Sequence, residues 1–551
     1  MESTLAAPPA PMRPESTAKS IDDQRTIIEN TASPTEAPKK DLRFWLIFLA
    51  LCVSTFLSAL ELTSVSTALP TIVESLNGHD FAWVGSAYTL GSTAFMPMSG
   101  GLAEIFGRRS VMLASLVIFA VGSAVCGAAQ SMNMLIAGRT IQGIGGGGIL
   151  TLTDIIVADL VPLAERGPYL GIVGSVWAVA SAIGPPIGGA FAERSWRWLF
   201  YINLPLAGIA IVLVLVFLRL NTPKDSFKHK ITRIDWIGNF LVIGSTASTI
   251  IALTWAGARY SWSSYQVLVP LLVGLAGLAA AFAYEFTLAV EPIIPRELLS
   301  NRTTLSGYLG TFFHGIVVTA IIYYLPVYFQ ASKGDSPIQS GVDLFGIAFT
   351  VAPFAIFTGI STVVLKKYRP QNYIAWGFTL IGTGLLSTLK YDSSKAHSIG
   401  FQILIGIGGG ILYASTTFPI LAPLPVSRNA PALALFAFVR TFAGTYGVAI
   451  GSSVLQTELS KRLPLQFTAQ FPGGSDIAFS AIPFINALEE PLRSEVRAAF
   501  ADSLAILWKV MIGIAGMGLI SVLLMKEVEM NTQTDEKWAI EQKKVNADEK
   551  A

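Results

Sequence analysis

From residue 44 onward the chain alternates long apolar runs with short polar or basic turns, and no stretch shows the two-residue alternation of a half-buried strand. About twenty mainly apolar residues in helical form cross a bilayer. Runs of that kind fall at 44–68, 82–102, 110–130, 132–157, 169–192 and 198–219, then at 234–256 and 266–286. Six more follow at 303–329, 341–364, 371–390, 398–421, 432–456 and 505–525. The pattern predicts an all-α membrane protein of about fourteen transmembrane helices.

The polar intervals set the organisation. Residues 1–42 are rich in Ala, Pro, Ser, Thr and charge and lack an apolar core near the start, which predicts a disordered tail and not a cleaved signal peptide. Lys and Arg accumulate on the cytoplasmic loops of membrane proteins. With the N-terminus inside, that side holds sixteen basic residues, Arg108, Arg109, Arg166, Lys366 and Lys367 among them, against ten outside. Both termini are therefore expected in the cytoplasm and the 457–504 loop outside. The sequon Asn301-Arg302-Thr303 then lies inside and stays unmodified.

One stretch competes with the membrane reading. "GRTIQGIGGGGIL", residues 138–150, contains Gly143-x-Gly145-x-x-Gly148, the spacing that cradles a dinucleotide pyrophosphate when it follows a strand and opens a helix. Here it lies inside an apolar run, where an open backbone loop would leave polar groups unsatisfied in lipid. Glycines four apart let helices approach closely, so Gly143 and Gly147 are expected on a helix-packing face. No Gly-Lys dipeptide occurs, which removes the phosphate loop of an ATP-driven pump. "GIGGG" at 143–147 recurs at 406–410, on the fourth and twelfth runs. This echo predicts two parallel six-helix halves, 43–220 and 303–527, joined by a connector with two inserted helices, 221–302, and followed by a tail, 528–551.

Composition narrows the partners. At 52% hydrophobic residues, 13% charged and a mean hydropathy of +0.57, the chain is too apolar for an ordinary soluble domain, so its surroundings are a lipid bilayer. A net charge of +2 with no basic tract among aromatics gives nucleic acid no footprint. Cys52 and Cys126 fall in apolar runs, where a thiol is a small hydrophobe. With four histidines and no Cys/His cluster, neither a metal site nor a cofactor is expected.

Three stretches on this topology resemble the major facilitator superfamily, specifically its fourteen-span drug:proton antiporter branch, over roughly residues 42–527. "GGLAEIFGRRSVML", 100–113, is similar to the family's loop between spans two and three, with Glu104 in place of an aspartate and Ile105 in place of the first arginine. Gly100 and Gly107 permit a tight turn there, and Glu104 can pair with Arg108 or Arg109, or accept from a helix N-terminus, to latch one conformation. "ASAIGPPIGGAF", 180–191, resembles the antiporter motif of span five, with Ala180 for its first glycine; Pro185 would bend the helix while Gly184, Gly188 and Gly189 let it pack closely. "LELTSVSTALP", 60–70, resembles the first-helix signature, with Glu61 at the acidic position. "WRWLFYINLP", 196–205, and "LIAGRTIQGIGGGGI", with Arg139 at the span-four arginine, complete the set. The resemblance implies the major facilitator fold, two six-helix bundles plus two inserted helices, in a transporter and not an enzyme.

An ionisable side chain inside a span costs about 2.5 to 3.5 kcal/mol on insertion scales, so each is a functional candidate. Glu61, Arg139, His314 and Arg440 lie on spans one, four, nine and thirteen. In the family's fold spans one, four, nine and twelve line the central cavity, which makes Glu61, Arg139 and His314 the expected proton-coupling residues and leaves Arg440 with the conformational motifs. Trp177, Phe312, Tyr323, Tyr324 and Tyr413 are candidates for an aromatic wall around a bulky ligand. The expected function is a proton-coupled antiporter exporting a small organic molecule (toxin, other secondary metabolite, organic acid or drug) at the plasma membrane, with a vacuolar or vesicle membrane as the alternative location, and without an obligate protein partner. The alternative is a proton-coupled importer of a siderophore or nutrient.

Overall fold

The structure, a computed structural model, describes residues 40–76, 82–221, 225–257, 259–469 and 482–538. Met1–Trp45 and Leu46–Ala551 form separate compact units, and the packing below lies within the second. Among the described residues there is no β-strand, and the long helices follow the apolar runs. They are α1 (Leu42–Ser75), α2 (Ala82–Phe106), α3 (Arg108–Gly127), α4 (Met132–Leu160), α5 (Gly167–Arg194) and α6 (Asn203–Phe217). The next two are α7 (Trp236–Trp255) and α8 (Tyr265–Thr287). The last are α9 (Arg302–Val327), α10 (Phe345–Leu365), α11 (Arg369–Leu386), α12 (Lys395–Ser415), α13 (Asn429–Arg462) and α14 (Leu492–Ser521).

Among the described residues twelve helical segments are long and apolar enough to cross a membrane, two fewer than the sequence pattern predicts. The windows at 82–102 and 371–390 are helices, α2 and α11, but of lower hydropathy. Their neighbours explain this. α2 packs against α4, α7 and α13, and α11 against α12 and α14. A helix walled by protein on several sides needs small or internally bonded side chains more than lipid-soluble ones. Accordingly α2 buries Ser92, Thr93 and Ser99, and α11 buries Asn372, Thr379 and Thr383.

The glycine stretch is continuous helix; Gly143, Gly145 and Gly147 meet neighbouring backbone, while Gly146 and Gly148 meet the side chains of Tyr88 and Ser115. A Cβ on Gly143 or Gly147 would collide with the carbonyl of Tyr88 or Ser92 on α2, and one on Gly145 would strike Ser115 and Phe119 of α3. The echo repeats this geometry. Gly406 and Gly410 of α12 face Thr350 and Val351 of α10, while Gly408 faces Ala375 and Thr379 of α11. Four glycines in a row cost helix propensity, about 1 kcal/mol each. Close approach offsets it by van der Waals packing, which drives helix association in lipid.

Other contacts join helices far apart in the chain. Gly167 and Gly359 bring α5 and α10 backbone to backbone, and Gly171 meets Ile356 one turn on. Gly100 of α2 sits against Ala434 of α13. The inserted α7 packs on α8 and also on both α2 and α13. Trp255 meets Trp83 edge to face at 6.2 Å, and the Trp262 indole donates to the Ser453 hydroxyl.

Beyond α14 the chain does not leave the bundle at once. The Tyr368 hydroxyl donates to the carbonyl of Lys526 (2.8 Å), and the Tyr368 amide donates to Glu527 (2.8 Å). Further on, the Ala164 amide donates to the Asn531 carbonyl (3.1 Å), and the Trp538 ring lies 3.5 Å from the Arg108 guanidinium carbon. The segment expected as a tail from 528 is docked as far as Trp538.

Glycine packing makes a direct prediction. Gly143→Leu should lower stability by at least about 1 to 3 kcal/mol, because the added side chain has no room against α2. Gly384→Ala in α11, where a Cβ meets nothing within 4 Å, should instead raise it by about 0.5 to 1 kcal/mol. Thermal unfolding of the detergent-purified variants measures both.

Candidate functional site

Glu61 and Arg139 meet. They sit mid-helix on α1 and α4, form an ion pair, and are each only 1% exposed. The Asn203 amide, at the start of α6, donates to the other Glu61 oxygen. Arg139 also donates to the Val84 carbonyl (2.9 Å) and to Gln142 Oε1 (2.7 Å), and its guanidinium carbon lies 4.7 Å from the Tyr88 ring centre. Gln142 in turn donates to Ser123 Oγ on α3 (2.8 Å), and the Tyr88 hydroxyl is 3.0 Å from Ser58 Oγ on α1. Five helices thus converge on one carboxylate. Buried charges demand this density of partners, since an unpaired one would cost several kcal/mol.

His314 is elsewhere. It lies on α9, 5% exposed, within electrostatic range of Arg440 on α13 and not of Glu61. The Arg440 guanidinium stacks near the rings of Tyr413 (4.5 Å) and Phe436 (4.2 Å) and donates weakly to the Tyr413 carbonyl (3.3 Å). Asp154 of α4 also lies within range of Arg440.

The third charge centre corrects the sequence reading. Glu104 was expected to pair with Arg108 or Arg109 or to accept from a helix N-terminus, yet among the described residues it accepts no hydrogen bond and acts on Arg108 only through space. Arg108 donates instead to Asp159 near the end of α4 (2.9 Å) and to the Ala103 carbonyl (2.9 Å). Arg109 donates to the Leu215 carbonyl (2.5 Å). The turn explains the exchange: Gly107, at φ 90°, swings Arg108 back under α2 toward α4 and away from Glu104. Arg166 closes the same end of α4 by donating to the carbonyls of Ala158 (3.0 Å) and Val161 (3.1 Å). Burial lowers its pKa to about 10, with Asp159 and Asp154 opposing.

The span-five glycines have separate neighbours. Gly184 abuts Thr63 and Ser64 of α1, Gly189 approaches Ile338, and Gly188 is buried; the Pro185 side chain lies outside the described residues. The candidate aromatic residues are not one wall. Trp177 packs beside Ala59, Leu60 and Ala180, Phe312 stands 5.8 Å from the Tyr446 ring, and Tyr324 is fully buried with its hydroxyl on the Val448 carbonyl. Tyr323 keeps half its surface accessible, and Tyr413 flanks Arg440.

Comparison with known proteins places the chain. The family profile described as Major Facilitator Superfamily matches residues 51–448. The chain belongs to the major facilitator superfamily. It is 40% identical over 521 residues to the MFS-type efflux pump LUC4 of Fusarium sp., covering 93% of this chain and 92% of that one. It is 38% identical over 517 residues to the acurin A biosynthesis cluster MFS-type transporter of Aspergillus aculeatus, covering 92% and 93%. Among solved structures it is similar in fold to the proton:xylose symporter XylE, with a TM-score of 0.57 at 13% identity over 90% of this chain and 98% of that one.

A major facilitator chain is an integral membrane transporter and not an enzyme. Against that family, the sequence reading missed Asn203, Ser123 and Asp159. Asn203 was within reach, as a lone amide between the apolar residues of "WRWLFYINLP". Asp159 stood beside the more conspicuous Asp154, and nothing in the spacing says which of the two meets Arg108. Asp159→Ala should cost about 3 to 5 kcal/mol by leaving Arg108 buried and unpaired. Glu104→Gln should stay within about 1 kcal/mol of wild type. Unfolding midpoints of the two variants, measured side by side, check this.

Proposed function

We propose that the protein is a proton-coupled antiporter that exports a small organic molecule, of the secondary-metabolite or drug class, across the plasma membrane. Residues 43–220 and 303–527 are its two halves in this reading, 221–302 the inserted connector, and both termini face the cytoplasm. The Glu61 centre carries the proposal. A carboxylate that is almost wholly buried and gripped by Arg139 and Asn203 is an uncommon feature for a lipid-embedded helix, and proton carriage is what such a group does well. Protonation removes the charge that Arg139 answers to. Arg139 then retains the Val84 carbonyl, Gln142 and the Tyr88 ring, so the arginine stays housed while α1 is freed from α4. A proton entering down 100 mV supplies about 2.3 kcal/mol to drive that cycle. The naming of similar fungal chains as efflux pumps supports the outward direction.

Glu61→Gln should abolish substrate-driven proton flux in proteoliposomes while the protein remains folded and abundant. Unchanged flux would reject the proton role. Orientation has its own test: external protease on intact cells should cut an epitope inserted at Gly473, in the 457–504 loop, and spare epitopes at either terminus.

A further inference from the structure

We infer that Arg440 and His314 form the seat for a carboxylate group on the exported compound. The inference rests on the export reading above and narrows its substrate class to organic acids.

Five helices surround the two side chains. Asp154 comes from α4, Gly174 from α5, His314 from α9, Gly409 and Tyr413 from α12, and Phe436 and Arg440 from α13. The seat therefore lies between the two sides of the duplication, where an alternating transporter must hold its cargo.

What these residues lack is as informative as what they have. Arg440 Nε is buried without a hydrogen-bond partner, and so is His314 Nε2. Its Nη2 bond to the Tyr413 carbonyl, at 3.3 Å, is long for a charged donor. Compare Arg139, which spends its donors on a carboxylate, an amide oxygen and a carbonyl. A buried donor left open is costly, a penalty a bound acceptor removes. The rings of Tyr413 and Phe436 hold the guanidinium without using its N–H groups, so its fork stays available.

Room is provided as well. Gly409 is the one glycine of "GIGGG" on α12 whose added Cβ would meet no atom closer than 3.9 Å, and the first atoms met are His314 Nε2 and Val351 Cγ2. Its counterpart in α4, Gly146, is filled by the Tyr88 hydroxyl. The second glycine stretch thus leaves room for a methyl-sized atom in van der Waals contact with His314, where the first has none.

The chemistry selects an anion. A guanidinium with a free N–H edge binds the two oxygens of a carboxylate, and a neutral imidazole adds one donor. Asp154 stands within electrostatic range of Arg440, yet among the described residues it forms no ion pair with it. It therefore acts as a like-charged competitor to an arriving acid, which gives the proposal a sign that can be checked.

The test uses the purified full-length protein in detergent. Ligand-induced shifts of the unfolding midpoint are titrated with benzoate, 1-naphthoate and octanoate, with their methyl esters, and with 1-naphthylmethylamine. Acids should stabilise the wild type and the esters and amine should not. Arg440→Gln should weaken acid binding at least about tenfold, Arg440→Lys should recover part of it, and Asp154→Asn should strengthen it. Equal binding of esters or of the amine, absence of acid binding to the wild type, or acid binding unchanged in Arg440→Gln would overturn the seat. Glu61→Gln separates the two readings, since it should bind acids normally while losing proton flux. Acid binding without substrate-driven proton flux in the wild type would reject antiport and leave the seat standing.

Discussion

Close backbone approach is the constraint on which the rest of this structure depends. Helices in lipid gain no hydrophobic energy from meeting one another, so contact must come from packing and from polar bonds that only short distances allow. The glycines of α4 and α12 supply those distances to their neighbours α2, α3, α10 and α11. A side chain at most of these positions would strike backbone and not merely another side chain, so relief by rotamer change is excluded.

The buried charge centre follows from this. Gly122 lets α3 lie against the backbone of Gln142, which puts Ser123 within 2.8 Å of the Gln142 amide. That bond turns Gln142 Oε1 toward Arg139 at 2.7 Å, so the arginine is satisfied on one side and aimed at Glu61 on the other. Without the glycine the serine cannot reach, the glutamine is free to rotate, and an ion pair taken out of water is left with too few bonds to offset its desolvation. Glycine packing and the buried ion pair are thus one arrangement.

How much of this was legible depended on whether a residue's role is set along the chain or across it. Span positions, the packing role of Gly143 and Gly147, and the candidacy of Glu61 and Arg139 are all local signals: run length, four-residue spacing, charge within an apolar run. The shortfall at α2 and α11 arises because hydropathy assumes lipid neighbours, whereas these helices have protein on several sides. Asp159 was overlooked for the same reason, since its value lies in an arginine 51 positions away whose direction is set by the φ of Gly107. His314 was grouped with Glu61 by span number alone, and its actual neighbour, Arg440, sits on a helix four spans later in the chain.

Two glycine stretches of matching geometry carry two different polar centres. Gly143, Gly145 and Gly147 find their match in Gly406, Gly408 and Gly410, each directed at the corresponding neighbour helix, so the scaffold is repeated closely. The side chains placed on it are not. At the first stretch Tyr88 fills the space at Gly146 and its hydroxyl ties to Ser58, while Arg139 donates to Glu61, Gln142 and the Val84 carbonyl. At the second stretch a methyl-sized space remains at Gly409, and Arg440 Nε and His314 Nε2 are buried without hydrogen-bond partners. Two ionisable centres with the same completeness would both be rigid, and a transporter must release what it binds. A closed centre can hold a proton carrier in place, while an incomplete one gains most when a ligand arrives and loses least when it leaves. The difference between the two stretches therefore lies in the side chains placed on matching glycine contacts.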